Sequence, residues 1–343
     1  MVNSSMVAAA AATALVAAAA IQPGFAQSDD ADLSALIEAA KAEGKLVYYS
    51  SEVDAINKAV IQAFTDKYGI EVEWLRLASG PLASRFAEEQ NAGGSPADVL
   101  RTADGSAFAT NPEWFVELSP DVLPMLKDYP DSAYLDNKRS VLTQYSTYVF
   151  TYNTDLVDKA DLPKVWTDVL DPKWEGKVVL SDPRASISWL AWVDAMVKAH
   201  GIEFAEKLRA QDWDIIDSAA PGAQQVAAGA YSASTPAFTG HATPVVQQGA
   251  PIGFVTPTDP APLKRDHIGL VKDAEHPNAA RLFVNYRLSP EALQIACELN
   301  QVGAPLPGIP GCLEIPPDPV TAKDVWTAEE MKPLLDALDL PQN

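Results

Sequence analysis

Between residues 45 and 105 the hydrophobic pattern changes from strand-like to helix-like and back, and this repeated alternation most restricts the fold. "KLVYY" is an apolar run of strand length. It gives way to "DAINKAVIQAFTDKYG", where Ile56, Val60, Phe64 and Lys67 recur at helical spacing and Gly69 stands where a C-cap glycine belongs. The spacing predicts a helix from Asp54 to Tyr68. "IEVEWL" then alternates apolar and acidic residues, as a half-covered strand does. Pro81 suits the first turn of a helix, which places Ser79 and Gly80 at a helix N-terminus. "ADVLRTADG" reads as a third strand. Strand and helix alternating this often predict an α/β fold, with a parallel sheet joined by crossover helices. Ser50, Ser51 and Glu52 lie between the first strand and its helix, as an ordinary capped βα turn or the lip of a ligand cleft.

A second block follows "YVFTYNTDL". Its strand, Val178 to Leu180, leads through a polar turn into a helix with Trp189, Trp192 and Met196 on one stripe, which reads as core. "EFAEKLRAQ" and "PGAQQVAAG" predict further helices, the latter feeding a small-residue strand. "HIGLVKDAEHPNAARLFVNYRLSPEALQIACEL" predicts a strand and one long helix. Extended crossings near 145–152 and 251–258 imply that the chain enters a second lobe and returns, leaving a cleft between hinged lobes. No internal repeat occurs, and the proline-rich stretch Pro305 to Pro319 reads as a surface wrap.

The first 26 residues carry an uncharged apolar run from Val7 to Ile21, then Pro23-Gly24 and small residues, the pattern of a secretory signal peptide cut after Ala26. No Lys or Arg precedes the run, so either the natural start lies upstream or the signal is atypical. No cysteine stands directly after the cut, which argues against a lipid anchor. The expected compartment is the periplasm. The formal charge of −21 disfavours nucleic acid and anionic lipid as partners. Any bound anion must therefore be held by a local Arg, Lys or helix N-terminus against the global field.

The only cysteines, Cys297 and Cys312, would close a short loop as a disulfide in an oxidising compartment, or remain two buried thiols. Two thiols without a nearby His are too few for zinc. The four histidines are scattered, with His241 the one placed near the expected cleft. No serine-hydrolase, zincin, P-loop or C-x-x-C motif occurs, so neither an enzyme nor a resident cofactor is expected.

Six segments, "GKLVYYSSE", "AFTDKYGIEVEWL", "SPADVLRTADG", "DPKWEGKVVLSDPRAS", "VAAGAY" and "HPNAARLFVNYRLSPEALQ", together resemble the periplasmic solute-binding proteins of ABC importers. The similarity spans about Lys45 to Cys297 and is nearest the ferric-iron-binding branch and its relatives that take small organic anions. It implies a two-lobed type II periplasmic-binding fold that docks onto an inner-membrane permease, as a monomer. The implied division is 27–147 with 259–310 for the first lobe, and 148–258 with 311–343 for the second.

Iron-binding members carry a His after the first strand, a Glu after the "SPADV" strand and paired tyrosines beyond the "VAAG" helix. Here these places hold Glu52, Thr102-Ala103-Asp104 and "STPAFTGH". Losing the phenolates removes the main hard ligands for ferric iron, so a small organic anion is the expected ligand. Glu52, Asp104 and Tyr231 could still rebuild an oxygen site, which keeps an iron importer as an alternative, and a sensor reporting to a receptor is another.

The expected anion site joins Arg184, Ala185 and Ser186 at one helix start with Ser79 and Gly80 at another. Arg184 could instead pair with Asp182, and Arg76 and Arg101 are either nearby cations or surface residues. The resemblance also places Thr102, Asp104, Ser106, Ser218, Thr235 and Phe238 in cleft loops, with Ser50, Ser51 and Glu52 at the facing strand end.

Overall fold

The computed structural model describes residues 30–135, 137–314, 320–323 and 325–340. The predicted signal segment and part of the proline-rich wrap lie outside the described residues.

The first block forms α1 (Asp30–Glu43), β1 (Lys45–Ser50), α2 (Asp54–Tyr68), β2 (Glu71–Arg76), α3 (Ser79–Asn91), β3 (Val99–Thr102) and α4 (Ser106–Thr110). Helix α2 ends where its sequence says it should: Gly69 takes the left-handed conformation, φ 73°, and its N–H bonds Thr65 O at 2.8 Å. Strand β1 lies parallel to both β2 and β3, as the alternation requires.

The second block contains β4 (Val141–Asn153), β5 (Val178–Ser181), α5 (Ile187–His200), α6 (Glu203–Arg209), β6 (Asp214–Ile216), α7 (Ala219–Ala227), β7 (Ala233–Phe238), α8 (Thr239–Gln247) and β8 (Ile252–Val255). The chain returns through β9 (Pro262–Leu270), α9 (Pro277–Arg287) and α10 (Pro290–Asn300), then adds β10 (Val320–Thr321) and α11 (Ala328–Ala337). No helix of the described residues is long and apolar enough to cross a membrane.

Strand order runs β2-β1-β3-β9-β4-β7-β5-β6, with β10 beside β9 and β8 beside β4. Strand β4 belongs to both lobes: Val141 to Thr147 pairs antiparallel with β9, whereas Tyr148 to Asn153 pairs with β7 and β8. Each half has its own core. One gathers Tyr48, Phe64, Leu142, Ile268 and Phe283; the other gathers Phe150, Trp166, Trp192 and Phe204, with Leu334 and Leu335 of α11. The result is the two-lobed α/β architecture with an interlobe cleft.

Two expectations need correction. The stretch near 251–258 is not a continuous crossing strand: β8 stays in the second lobe against Phe150 to Asn153, and residues 256–261 carry the chain back to β9. The single long C-terminal helix is two helices. Pro290 has no N–H to continue α9, and Ser289 caps α10 by accepting from Ala292 N at 3.4 Å.

Candidate functional site

The C-terminal ends of the first-lobe strands open onto a cavity of about 190 Å³ between the lobes. Ser51 and Glu52 follow β1, Arg76 ends β2, Ser79 starts α3, and Arg101 lies in β3. The strands joining the lobes contribute Gln144, Ser146 and Lys264. From the second lobe come Ser186, Ser188 and Trp189 at the start of α5, Asp217 and Ser218 before α7, and Phe238 and His241 around the start of α8. Two surface hollows are larger, about 520 Å³ beside Asp121 and Arg281 and about 580 Å³ against the 304–314 loop, but neither gathers side chains from both lobes.

Beneath the cleft lies a buried charge network. Glu52, only 3% exposed, accepts from Arg287 Nη2 at 3.0 Å on one oxygen, and its other oxygen forms an ion pair with Arg101 Nη2 at 2.8 Å. Arg101 also approaches Asp266 at 3.4 Å, and Lys264 Nζ bonds the two Asp266 oxygens at 2.8 and 2.7 Å. Burial works to raise the Asp266 carboxyl, but the Lys264 and Arg101 charges outweigh it and hold it below its ordinary value. Gln144 bridges the network, donating to Asp266 at 3.4 Å and accepting from Arg287 at 3.3 Å. Burial also pushes the Tyr48 phenol beside this network up to about 12.

The second-lobe wall sets aromatic rings among its polar side chains. Trp189 and Phe238 stack at 4.8 Å with 28° between planes, and the Lys264 ammonium sits 4.9 Å from the Phe238 centroid. His241 lies 5.8 Å from Trp189 and 5.7 Å from Phe238. Its desolvation, together with the Lys264 and Arg76 charges, lowers it to about 4, so the imidazole is neutral at physiological pH.

The structure brings Ser51, Glu52, Ser79, Ala185, Ser186, Ser218 and Phe238 together at the cavity, with His241. It does not bring the other expected residues there. Ser50 is buried and caps the β1 turn, donating to Asn57 Oδ1 at 3.0 Å and accepting from Glu52 N at 3.1 Å. Gly80 lies one position past Ser79 and does not line the cavity. Thr102 Oγ1 accepts from Asp104 N, Asp104 Oδ1 accepts from Ser106 N, and buried Thr235 donates to Val149 O at 3.4 Å.

Arg184 is folded onto Asp182, its Nε at 3.0 Å and its Nη2 at 2.7 Å from that carboxylate, and it does not line the cavity. The two side chains are only two positions apart, so this local pair forms without tertiary help. Tyr231 donates to Asp214 at 2.7 Å, so Glu52, Asp104 and Tyr231 are all engaged by different groups. Cys297 and Cys312 are bonded, with Cα atoms 4.6 Å apart.

Arg287 and Lys264 escaped the sequence reading. Arg287 occupies the last turn of a helix, where a cation ordinarily points to water. Lys264 had a usable signal: it and Asp266 fall on one face of a strand by the period of two, an unusual buried pair.

The fold recurs in solved structures. Iron-bound HitA from Pseudomonas aeruginosa superimposes with a TM-score of 0.67 at 23% identity, covering 86% of this chain and 97% of that one. The periplasmic binding protein AfuA from Actinobacillus pleuropneumoniae, with fructose-6-phosphate bound, gives 0.66 at 19% identity, covering 87% and 99%. A Haemophilus influenzae protein of uncharacterised role is 24% identical over 273 residues, 75% of this chain and 76% of its own length. Bacterial extracellular solute-binding proteins hold small ligands for delivery to ABC permeases, and the model of that family matches residues 59–332. By that match, this chain belongs to the bacterial extracellular solute-binding protein family.

Proposed function

We propose that the protein is the exported solute-binding component of an ABC importer, and that it captures a small organic anion, a carboxylate, phosphonate or phosphate ester, in the interlobe cleft. One observation carries this reading: three helix N-termini border the same cavity, through Ser79 of α3, the Ser186 cap of α5 and Ser218 before α7. Each presents the positive end of a helix dipole; the starts of α3 and α7 carry no side-chain cap, whereas Ser186 Oγ accepts from Ser188 N at 3.3 Å in α5. Arg76 and Lys264 line the cavity beside them, while Glu52 is neutralised by its two arginines. Lys264 is itself paired with Asp266 and Asp217 also lines the cavity, so in this chain of formal charge −21 the positive charge offered to an anion is chiefly that of Arg76 and the helix N-termini.

Ferric iron fits these residues less well. It needs several free anionic oxygens, and Glu52 is already spoken for by Arg101 and Arg287. Among the described residues no group of three or more His, Cys, Asp or Glu is placed to hold a metal ion. The role is that of a monomeric carrier without a resident cofactor, closing on its ligand rather than transforming it.

The test is a thermal-shift screen of unfolded and refolded protein against acetate, benzoate, phenylphosphonate, inorganic phosphate and ferric citrate. A ligand at a hundred times its dissociation constant stabilises the native state by about 2.7 kcal/mol. A shift with an anion class supports the reading; a shift with ferric citrate alone overturns it.

A further inference from the structure

The two walls of the cleft are chemically unlike. The first-lobe side offers Arg76, Ser51 and Ser79, with Arg101 buried behind them, whereas the second-lobe side sets the rings of Trp189, Phe238 and His241 among Ser186, Ser188, Asp217 and Ser218. Lys264 stands where the walls meet, its ammonium tied to Asp266 and lying over Phe238. From these observations we propose that the captured anion is a monocyclic one, a single planar ring bearing an oxyanion, and that Trp189 and His241 are the residues that select the ring. This narrows the anion reading above and rests on it.

Size supports the proposal. A closed apolar cavity of about 150 Å³ admits one benzene. The interlobe cavity of about 190 Å³ therefore has room for one ring and a directly attached carboxylate or phosphonate.

The wall is also held rigid before any ligand arrives. Trp189 is stacked on Phe238 at 4.8 Å and meets the edge of Tyr148 at 6.5 Å. Tyr148 is itself pinned by donating to Ser188 O at 2.7 Å. Trp189 is 5% and Phe238 9% exposed, so a docking ring meets a small strip of aromatic surface whose side-chain entropy is already lost, which favours planar partners. Phe238 carries Trp189 and the Lys264 ammonium and so backs the wall, leaving Trp189 and His241 as the selecting groups.

His241 is oriented as well. The Phe238 backbone N–H donates to its Nδ1 at 3.1 Å, so the neutral imidazole carries its proton on Nε2. It therefore supplies one N–H donor and an uncharged ring, in keeping with its lowered pKa of about 4. A saturated ring would lose the face-to-face contact that Trp189 and His241 give a planar one.

Calorimetric titration of refolded protein with four probes tests this: benzoate, phenylphosphonate, cyclohexanecarboxylate and acetate. The expected result is that benzoate or phenylphosphonate binds about three- to tenfold more tightly than cyclohexanecarboxylate, and more tightly still than acetate. The benzoate and phenylphosphonate arms identify the anionic head. Trp189→Leu should abolish the preference for the planar ring while leaving weak anion binding, and Trp189→Phe should keep part of it. His241→Gln should weaken ring acids while affecting acetate little. If Trp189→Leu does not fold, the probe comparison on the unaltered protein decides the matter. Equal binding of planar and saturated rings, or binding of acetate alone, overturns the ring and leaves the anion reading standing. Binding of ferric citrate with none of the four anions overturns both, and no binding of any ring acid at millimolar concentration overturns the ring.

Discussion

Arg287 Nη2 donates to Glu52 Oε2 at 3.0 Å across 235 positions of sequence, and both side chains are almost completely buried. The bond ties the last turn of α9 to the end of β1, directly behind the cleft. Arg101 holds the other Glu52 oxygen, so one carboxylate compensates two guanidinium groups. That compensation is incomplete in hydrogen-bonding terms, since Arg287 Nε and Nη1, Arg101 Nε and Nη2 and Glu52 Oε1 are buried without a hydrogen-bond partner among the described residues. Charge pairing, more than hydrogen bonding, keeps these groups in place.

Glu52→Gln should therefore destabilise the fold by about 3–5 kcal/mol, because it leaves two buried arginines short of a counter-charge. Arg287→Met should cost less, about 1.5–3 kcal/mol, since Arg101 still serves Glu52. Urea unfolding of both single variants and the double variant should give a coupling of at least about 1 kcal/mol. Additive costs would mean that the two residues do not act on one another.

Two arginines that look alike in sequence should behave differently. Arg76 is exposed at the cavity, and Arg76→Ala should weaken binding of the cognate anion at least about tenfold, the loss of a charge-assisted contact. Arg184 is occupied by Asp182, so Arg184→Ala should leave affinity within about twofold. Titration calorimetry with whichever anion gives the largest thermal shift settles both, and a strong effect at Arg184 would mean that the pair opens on binding.

His241 makes stability depend on pH. Its pKa is about 4 in the folded chain against an ordinary value of 6.5, so between these values the unfolded chain binds the extra proton. Stability is full above pH about 6.5 and falls as the pH drops toward about 4, by up to about 3 kcal/mol. His241→Asn should flatten that part of the curve. The comparison is urea unfolding at pH 7 and at pH 4.5 for both proteins; an unchanged difference between the two pH values would show that His241 does not contribute.

The Cys297–Cys312 bond closes a loop of 15 positions immediately after α10, whose Asn300 lines the cavity. Reduction, or the double change Cys297→Ser and Cys312→Ser, should cost about 3 kcal/mol through the entropy of the opened loop. Ligand affinity should weaken alongside, because Asn300 O accepts from Thr239 Oγ1 at 2.5 Å and so links α10 to the second lobe. Melting curves with and without dithiothreitol, in the presence and absence of the anion, measure both effects.

Local chemistry is what the sequence alone could determine. Helix α2 was legible to both of its ends because its hydrophobic spacing and Gly69 lie within one segment. The parallel βα units, the two lobes and the hydroxyl-bearing helix starts at Ser79 and Ser186 followed from similarly local signals and their order, whereas Ser218 was placed near the cleft by the family resemblance. The break at Pro290 was equally local and was overlooked within a long helical period.

What the tertiary structure alone decided is which distant charges meet. Arg287 reads as a solvated cation at a helix end, but packing of α9 against the first-lobe sheet buries it opposite Glu52. Lys264 and Trp189 belong to different lobes' patterns until β9 and α5 bring them to one cavity. The physical reason is that helix and strand periods are set by neighbours a few residues apart, whereas the partner of a buried charge is set by whichever distant segment the core packs against it.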